Sequence, residues 1–558
     1  MDIKKTITKY ALQNAIRYDG KANTGAIIGK VIAENPKLKL AMKEVSKEIK
    51  EIVDNVNSMA AEAQLVELKK LAPELLEKKE KQEKDIFEFL KIPEGEKIIT
   101  AFPPEPSKYP HIGHAKAIIV NYELAKRNKG EFIIRFDDTN PLLVKEEFYK
   151  IHLENYKWLG IQHDKLEYAS DYMEKFYEFA EKLIKMGKAY ACDCPQETIK
   201  ENRFKGIECK CRSNSIEANM EKWKEMFISA DGTIIRLKID ISHKNTTMRD
   251  PAIMRIIVSE HPRLTKKYRV WPTYDFETTM MDSFEGVTHR IRSKEFEMRN
   301  ELQRYIQSIL GFKETSIYEF ARFNMEGVES SGRIIREKIE KKELIGWDDP
   351  SLTTIVALRR RGFLPEAIYN FVLSTGITKT ESTITWDTLY AFNKKIADSR
   401  ANRYFFIESP IKIEIAETPN KEIKLNLHPD FPERGIRAFE ITGSFYISKA
   451  DLDVLKDNSL NRLMDCINFT KKGSKFYFDS LDYEAYSTKG DKIIHWLSAS
   501  DKTVDVEIVM PDKTRLKGMA EKGIKNLPVG ELIQFARFGF CRLDENKEGR
   551  IVFWFTHK

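Results

Sequence analysis

Cysteine is scarce in this chain: six occur in 558 residues, with Cys466 and Cys541 isolated and the other four gathered between Cys192 and Cys211. A disulfide framework spread through the protein is excluded, and reducing cytosol is the expected compartment. Long apolar runs are also missing. No stretch reaches the roughly 18 residues of a membrane-spanning helix, and Met1 to Tyr10 lacks the apolar core and cleavage site of a secretory leader. No membrane partner is expected. Excess charge is small as well, since 93 Lys plus Arg stand against 86 Asp plus Glu, a formal net charge of +7. That permits a nucleic-acid partner without arguing for one. No internal repeat is evident.

What is present is ample material for burial. With 42% hydrophobic and 32% charged residues the chain has a globular composition, which excludes wholesale disorder. Its length predicts about three to five domains. Pro36 to Lys97 is rich in Lys, Glu, Ala and Leu, and the spacing of Val66, Leu68, Leu71, Leu75 and Leu76 predicts helices. Charge runs such as Glu77 to Lys84 read as the solvent face of helical arms. A turn-forming cluster, Ile92-Pro93-Glu94-Gly95, precedes a β-branched run, Lys97 to Phe102, where a new domain begins. Strands and helices alternate to about Leu310, a helical stretch runs from Asp348 to Ala397, and from about Arg403 short β-like runs dominate.

The first site-like pattern is Phe102-Pro103-Pro104-Glu105-Pro106-Ser107, followed by His111-Ile112-Gly113-His114 and a strongly helical segment. A strand entering a proline-stiffened loop and then a helix aims free backbone N–H groups at the loop, where a phosphate can sit. Two histidines three apart share one face of the first turn and can donate hydrogen bonds to phosphate oxygens. Taken alone, the pair is equally a helix cap or half a metal site. A second strand, Glu131 to Phe136, then ends in Asp137-Asp138, which a doubly wound parallel sheet brings to the same crevice.

This combination resembles the class I aminoacyl-tRNA synthetases, in detail their glutamyl/glutaminyl branch. The likeness continues in order through Tyr156-Lys157-Trp158-Leu159-Gly160, Met248-Arg249-Asp250-Pro251, Trp271 to Phe276, Glu285 to His289, Gly346 to Pro350, Leu358 to Gly362 and Ile494-His495-Trp496. It implies a multidomain α/β protein: a helical N-terminal extension (1–91), a Rossmann-type catalytic domain (92–310) with an acceptor-end-binding insertion at about 190–270, a signature loop with a helical stem-contact domain (311–402), and two anticodon-binding β-barrels (403–558). Bacterial glutamyl enzymes end in helices, so the β-like last third places the chain on the archaeal and eukaryotic side. The implied reaction joins L-glutamate to ATP, with Mg2+, and passes the acyl group to the terminal ribose of tRNA(Glu), with tRNA(Gln) as a further open partner.

By the same resemblance Pro103, His111, Gly113 and His114 would hold ATP, while Glu105, Asp137 and Tyr274 would line the amino-acid end. Arg292 falls where glutaminyl enzymes carry a small neutral cysteine and glutamyl enzymes an arginine. A guanidinium suits a γ-carboxylate and leaves donors unmatched against an amide. Two departures stand out. The family's Thr-Arg-Phe is Thr100-Ala101-Phe102 here, so one cation near the side-chain carboxylate is missing. The expected Lys-Met-Ser-Lys-Ser type loop reads Val328-Glu329-Ser330-Ser331-Gly332-Arg333-Ile334, with Ser331 at the catalytic lysine's place and Arg333 or Arg336 as replacement cations. A divergent, weakly active paralogue that binds tRNA is therefore a second reading. A glutaminyl enzyme is disfavoured by Arg292, and a truncated relative that glutamylates a modified tRNA base by the long β third.

Cys192-Asp193-Cys194 and Cys209-Lys210-Cys211 are separated by fourteen residues. They offer four thiolates to a structural Zn2+ or remain reduced or disulfide-capable thiols. For tRNA phosphates, the likeness points to Arg359-Arg360-Arg361, with Lys394, Lys395, Arg400 and Arg403 at the entry to the β third.

Overall fold

The computed structural model describes every residue except 1–2, 18–19, 35–41, 76–84, 91, 93–94, 229–231, 330 and 548. Leu76, the Glu77–Lys84 run, Pro93, Glu94 and Ser330 thus lie outside the described residues. The chain forms two compact units, Met1–Glu88 and Phe89–Lys558.

In the first unit, helices α1 (Ile3–Arg17), α2 (Thr24–Glu34), α3 (Met42–Ser58) and α4 (Ala61–Leu71) share a core of Ile7, Leu12, Ile27, Val31, Ile49, Val53 and Leu68. In α3, Val45, Ile49, Val53 and Val56 fall at intervals of three and four and are all buried, with Ile52 partly buried beside them. In α4 the expected apolar stripe divides. Leu68 is fully buried, but Val66 lies two residues away, on another face, and is 52% exposed. Pro73 cannot continue the helix, so Leu75 belongs to a separate turn of 3-10 helix, Pro73–Leu75.

The second unit is built around five strands: β1 (Ile99–Phe102), β2 (Glu131–Phe136), β3 (Lys165–Tyr168), β8 (His289–Ser293) and β9 (Ser316–Phe320), ordered β3-β2-β1-β8-β9. All four pairings are parallel. Helix α5 (Ile112–Arg127) links β1 to β2, and α6 (Glu146–Trp158) links β2 to β3. Because β2 and β8 flank β1 on opposite sides, the chain order reverses at β1. The crevice beyond its carboxyl end is where such sheets bind ligands.

Between β3 and β8 the chain departs through α7 (Met173–Lys185), β4 (Ala189–Cys192), α8 (Gln196–Lys205), α9 (Ile216–Glu225), β5 (Ile234–Leu237), β6 (Ala252–Ile256) and β7 (Val270–Pro272). It returns through α10 (Tyr274–Phe284). Strands β4 to β7 form an antiparallel sheet, and its core, with Trp223, Trp271 and Phe276, is shared with α7, α10 and α11 (Asn300–Leu310). Beyond β9 come α12 (Gly332–Glu340), α13 (Ile355–Arg361) and two further helices, Pro365–Ser374 and Trp386–Arg400. The last third contains two seven-stranded sheets with separate cores. Residues 404–407 serve both by strand alternation: Tyr404 and Phe406 enter one core, Phe405 and Ile407 the other.

Candidate active site

Proline stiffens the loop after β1, and the chain enters α5 with His111 as its N-cap. The backbone N–H of Gly113 donates to His111 Nδ1 at 3.0 Å, and that of His111 donates to His114 Nδ1 at 3.2 Å. Residue 113 must be small, because a Cβ there would stand 2.8 Å from His111 Cε1. Burial, reinforced by Lys108 and Arg322, lowers the His111 pKa to about 3, and burial holds His114 well below its ordinary value. Both rings are neutral near pH 7. With Nδ1 accepting, each carries its proton on Nε2, so the two side chains cap the helix and keep one N–H donor apiece for the cavity they line. Capping and phosphate binding are thus compatible roles. His152 supports the arrangement from behind: its Nε2–H donates to Lys108 O at 2.7 Å, its Nδ1 accepts from Tyr156 Oη at 2.8 Å, and its ring meets His114 edge-on with centroids 6.0 Å apart.

The cavity, about 470 Å³, opens at the carboxyl ends of β1, β2 and β8 and is lined by Ala101, Pro103, Glu105, Asp137, Tyr274 and Arg292, among others. Asp137 Oδ1 accepts from Arg135 Nε at 2.8 Å, while its Oδ2 is buried with no partner. Burial raises its pKa, with Arg135 and Arg290 working against that rise. One turn into α10, Glu277 also reaches the cavity. Its Oε2 accepts from Thr139 Oγ1 at 2.5 Å and its Oε1 is buried without a partner. Burial, with Asp137 beside it, raises the Glu277 pKa well above its ordinary value, so Asp137 Oδ2 is the oxygen that a cation would meet, with Glu277 Oε1 next to it as a hydrogen-bonding partner. On β8, Arg292 is 6% exposed. Its Nη2 donates to Asn300 Oδ1, and its Nε and Nη1 are buried without partners. An anionic and a cationic patch thus share one cavity, a match for a zwitterion with an acidic side chain.

The structure also brings to this cavity Lys108, Lys116, Glu277, Arg290 and Arg322, none of which the sequence reading assigned. For Arg290 the signal was available, since residues two apart on a strand share a face. Lys116 is buried on α5 with its Nζ 4.3 Å from the Phe323 ring centroid, and burial lowers its pKa to about 8. The replacement cations expected in the signature loop are elsewhere. Ser331 caps α12, accepting from Ile334 N at 3.5 Å. Arg333 has a side chain 83% exposed, and Arg336 Nη2 is 3.4 Å from Ser107 O. Ser331, Arg333 and Arg336 do not line the cavity.

The arginine triplet separates. Arg361 is fully buried, donating to Pro350 O, Thr556 O and Tyr390 Oη. Arg360 makes a two-pronged ion pair with Asp544 at 2.9 and 2.7 Å and meets Asp348 at 2.7 Å. These two tie α13 to the last strands and to neighbouring turns, so the expectation that all three reach phosphates is corrected: Arg361 cannot, and Arg360 is committed to carboxylates. Arg359 is exposed, as are Lys394 and Lys395, whereas Arg400 pairs with Glu366 and Arg403 with Asp398.

The four clustered cysteines converge, their sulfurs all within 4.8 Å of one another. Cys192 Sγ lies 3.8 Å from Cys209 Sγ, and Cys194 Sγ lies 3.8 Å from Cys211 Sγ. All four are free thiols. Zn–S bonds of about 2.3 Å place tetrahedral sulfurs roughly 3.8 Å apart, so the donor set and its spacing fit zinc. Arg236 Nη1 lies 3.9 and 3.8 Å from the sulfurs of Cys192 and Cys209, where a guanidinium favours thiolates.

Residues 97–398 match the model of the catalytic domain of class I tRNA synthetases (E and Q), and residues 401–478 and 493–544 match two models of that family's anti-codon binding domain. Over the full length of both chains, this one is 41% identical to the glutamate–tRNA ligase of Pyrococcus furiosus, 42% to that of Pyrococcus horikoshii and 37% to that of Methanothermobacter thermautotrophicus. A solved glutamate tRNA ligase from Elizabethkingia meningosepticum overlays 55% of this chain and 71% of its own at a TM-score of 0.42 and 16% identity. With a catalytic-domain match over more than half its length and full-length relatives near 40% identity, this chain belongs to the class I tRNA synthetases of the glutamate and glutamine branch.

Proposed function

We propose that this protein is a glutamyl-tRNA synthetase of archaeal type: it activates L-glutamate with ATP and transfers the glutamyl group to the terminal ribose of tRNA(Glu). The observation that carries the choice of glutamate is Arg292, whose buried Nε and Nη1 have no protein partner in the cavity. Left unmatched, buried guanidinium donors are costly. A γ-carboxylate supplies two charge-assisted acceptors, whereas the amide of glutamine brings its own donors against them. At the other patch the α-ammonium meets Asp137 Oδ2, with Glu277 Oε1 and the Tyr274 ring in the same cavity.

The α-carboxylate attacks the α-phosphorus of ATP, a carboxyl O–P bond forms as the bond to pyrophosphate breaks, and charge moves onto the departing phosphates. Neutral His111 and His114, with α5's N-terminus, supply oriented donors there without taking part covalently. ATP brings Mg2+ on its phosphates. Lys108, Lys116 and Arg322 line the same cavity and would neutralise pyrophosphate charge in a chain with serine at position 331. Arg359, Lys394 and Lys395 are the exposed cations offered to tRNA phosphates.

Pyrophosphate exchange and aminoacylation, run with glutamate and glutamine on tRNA(Glu) and tRNA(Gln) transcripts, test the reading. Glutamylated tRNA is expected, and tRNA binding with no acylation would instead make the chain a non-charging paralogue. For the cysteine cluster, zinc is proposed as a structural ion with no open coordination position. Metal analysis should find close to one zinc per chain, and Cys209→Ser should release it and loosen residues 192–211, read by proteolysis, with the C-terminal sheets unaffected. Absence of metal after reducing, chelator-free purification would reject it.

A further inference from the structure

Arg290 has no role in the reading so far, yet its placement is singular. Strand β8 runs parallel to β1 with Thr100 opposite His289, so the next residues, Ala101 and Arg290, lie side by side on adjacent strands about 4.8 Å apart with side chains on one face of the sheet. Two residues on, Arg292 shares that face. Ala101, Arg290 and Arg292 all line the cavity. A methyl group at 101 therefore shares one face of the sheet and one cavity with two arginines, and the room a longer side chain at 101 would fill is left to them.

Arg290 is 2% exposed and only partly satisfied. Its Nη1 donates to Thr278 Oγ1 at 2.6 Å and to Asp282 Oδ2 at 2.7 Å, while its Nε is buried with no partner. Asp282 is not free to absorb more of this charge. It also accepts from Arg135 Nη1 at 3.0 Å and from Gln303 Nε2 at 2.8 Å. Arg135 is better matched, bonding Asp137, Asp282, Glu285 and Thr278. Fully buried cations with unspent donors are retained at a cost unless something completes them. In this cavity the thing that does so is an anion.

We propose that Arg290 is a second specificity-determining residue, which reads the side-chain carboxylate of the amino acid together with Arg292 and supplies from β8 the cation that Ala101 does not supply from β1. Anchoring by Asp282 and Thr278 fixes the guanidinium, so its remaining donors meet the carboxylate without reordering. The inference rests on the glutamate reading above. It is separate from it in test, because Arg292 alone could select glutamate.

The experiment measures pyrophosphate exchange, with tRNA(Glu) transcript present, with glutamate and glutamine for the unaltered chain and for Arg290→Gln, Ala101→Arg and Arg290→Gln/Ala101→Arg. Failure of the unaltered chain to activate glutamate would defeat the underlying reading. Given activity there, Arg290→Gln should lower glutamate kcat/KM by about 30- to 100-fold, mostly through KM, and leave glutamine nearly unaffected. Ala101→Arg alone crowds two like charges and should lower glutamate efficiency. The same substitution in the Arg290→Gln background should recover at least about tenfold. If glutamate and glutamine efficiencies fall in equal proportion in Arg290→Gln, or if the double variant is no better than Arg290→Gln, Arg290 is structural and the proposal fails. Should Arg290→Gln not yield folded protein, Arg290→Lys keeps the charge against Asp282 and reads the same ratio. A reduced glutamate preference there supports the proposal, and an unchanged one overturns it.

Discussion

The two ends of the cavity solve different electrostatic problems. At the end proposed for the phosphates the closest donors are neutral, two imidazoles locked as Nε2–H donors and the N-terminus of α5, all from one strand-turn-helix segment, with Lys108, Lys116 and Arg322 lining the same cavity. At the end proposed for the amino acid it offers buried charges, Asp137, Arg290 and Arg292, with Glu277 beside them, its pKa raised well above the ordinary carboxyl value by burial and by the neighbouring Asp137; they are drawn from the loop after β2, α10 and β8. Oriented dipoles meet a ligand that arrives with its charge already partly neutralised by a cation, and they are indifferent to pH. Fixed charges select a zwitterion, and their protonation is sensitive to whatever occupies the site. The difference teaches that the neutral donors proposed for ATP are a property of local chain geometry, whereas the charges proposed to choose the amino acid are a property of the assembled sheet.

The largest effect is expected from breaking the charged end. Arg292→Cys should lower glutamate kcat/KM by roughly three decades and narrow or reverse the preference over glutamine, because the anion loses its charge-assisted donors. An unchanged preference would show that the residue does not read the side chain. At the neutral end, His114→Ala removes one oriented donor. Adenylate formation should slow by about two decades while tRNA affinity, measured by filter binding, stays within a factor of two or so. Equal losses in both would instead indicate a folding role.

Titration separates the two ends more gently. His111 remains neutral down to about pH 3, so no imidazole ionisation near 6.5 should enter the pH dependence of the ATP KM beyond the titration of ATP's own γ-phosphate. Burial raises the Asp137 pKa above its ordinary value, and it must be ionised to hold the ammonium. Glutamate KM should therefore rise on acidification, as protonation of Asp137 removes the partner of the ammonium, and steady-state kinetics across an acidic pH series would reveal it; a glutamate KM independent of pH would show that Asp137 does not hold the ammonium.

The smallest expected effect is on stability. Fully buried His152 has its pKa lowered by burial to about 4. Above pH 6.5 it is neutral in both folded and unfolded chains and contributes no slope. Below 6.5 the unfolded chain gains a proton that the folded chain refuses, so stability falls, by about 1.4 kcal/mol per pH unit for one proton, until about pH 4. His152→Asn should remove one proton's worth of that slope in urea unfolding series, and an unaltered slope would show that His152 titrates normally in the fold.

Much of the site follows from local pattern. His111 and His114 sit three apart because one helical turn returns to the same face, and Asp137 ends its strand because carboxyl ends meet at the crevice; spacing alone carries both. The resemblance adds Arg292 and the order of the domains. By itself the sequence determined the alternation that sends Tyr404 and Phe406 to one core and Phe405 and Ile407 to another, the apolar stripe of α3, and four cysteines close enough along the chain to converge. Only the tertiary structure decided that Arg361 is buried, since its acceptors include Thr556 O, 195 residues away. It alone set Arg290 beside Ala101, because strand register between distant segments is fixed by packing and not by either segment. The same holds for Val66, whose exposure depends on which face of α4 the other helices cover. Periodicity records which residues can share a surface; what lies opposite that surface depends on long-range contacts, and those contacts decide whether a charge is solvated, paired or left waiting for substrate.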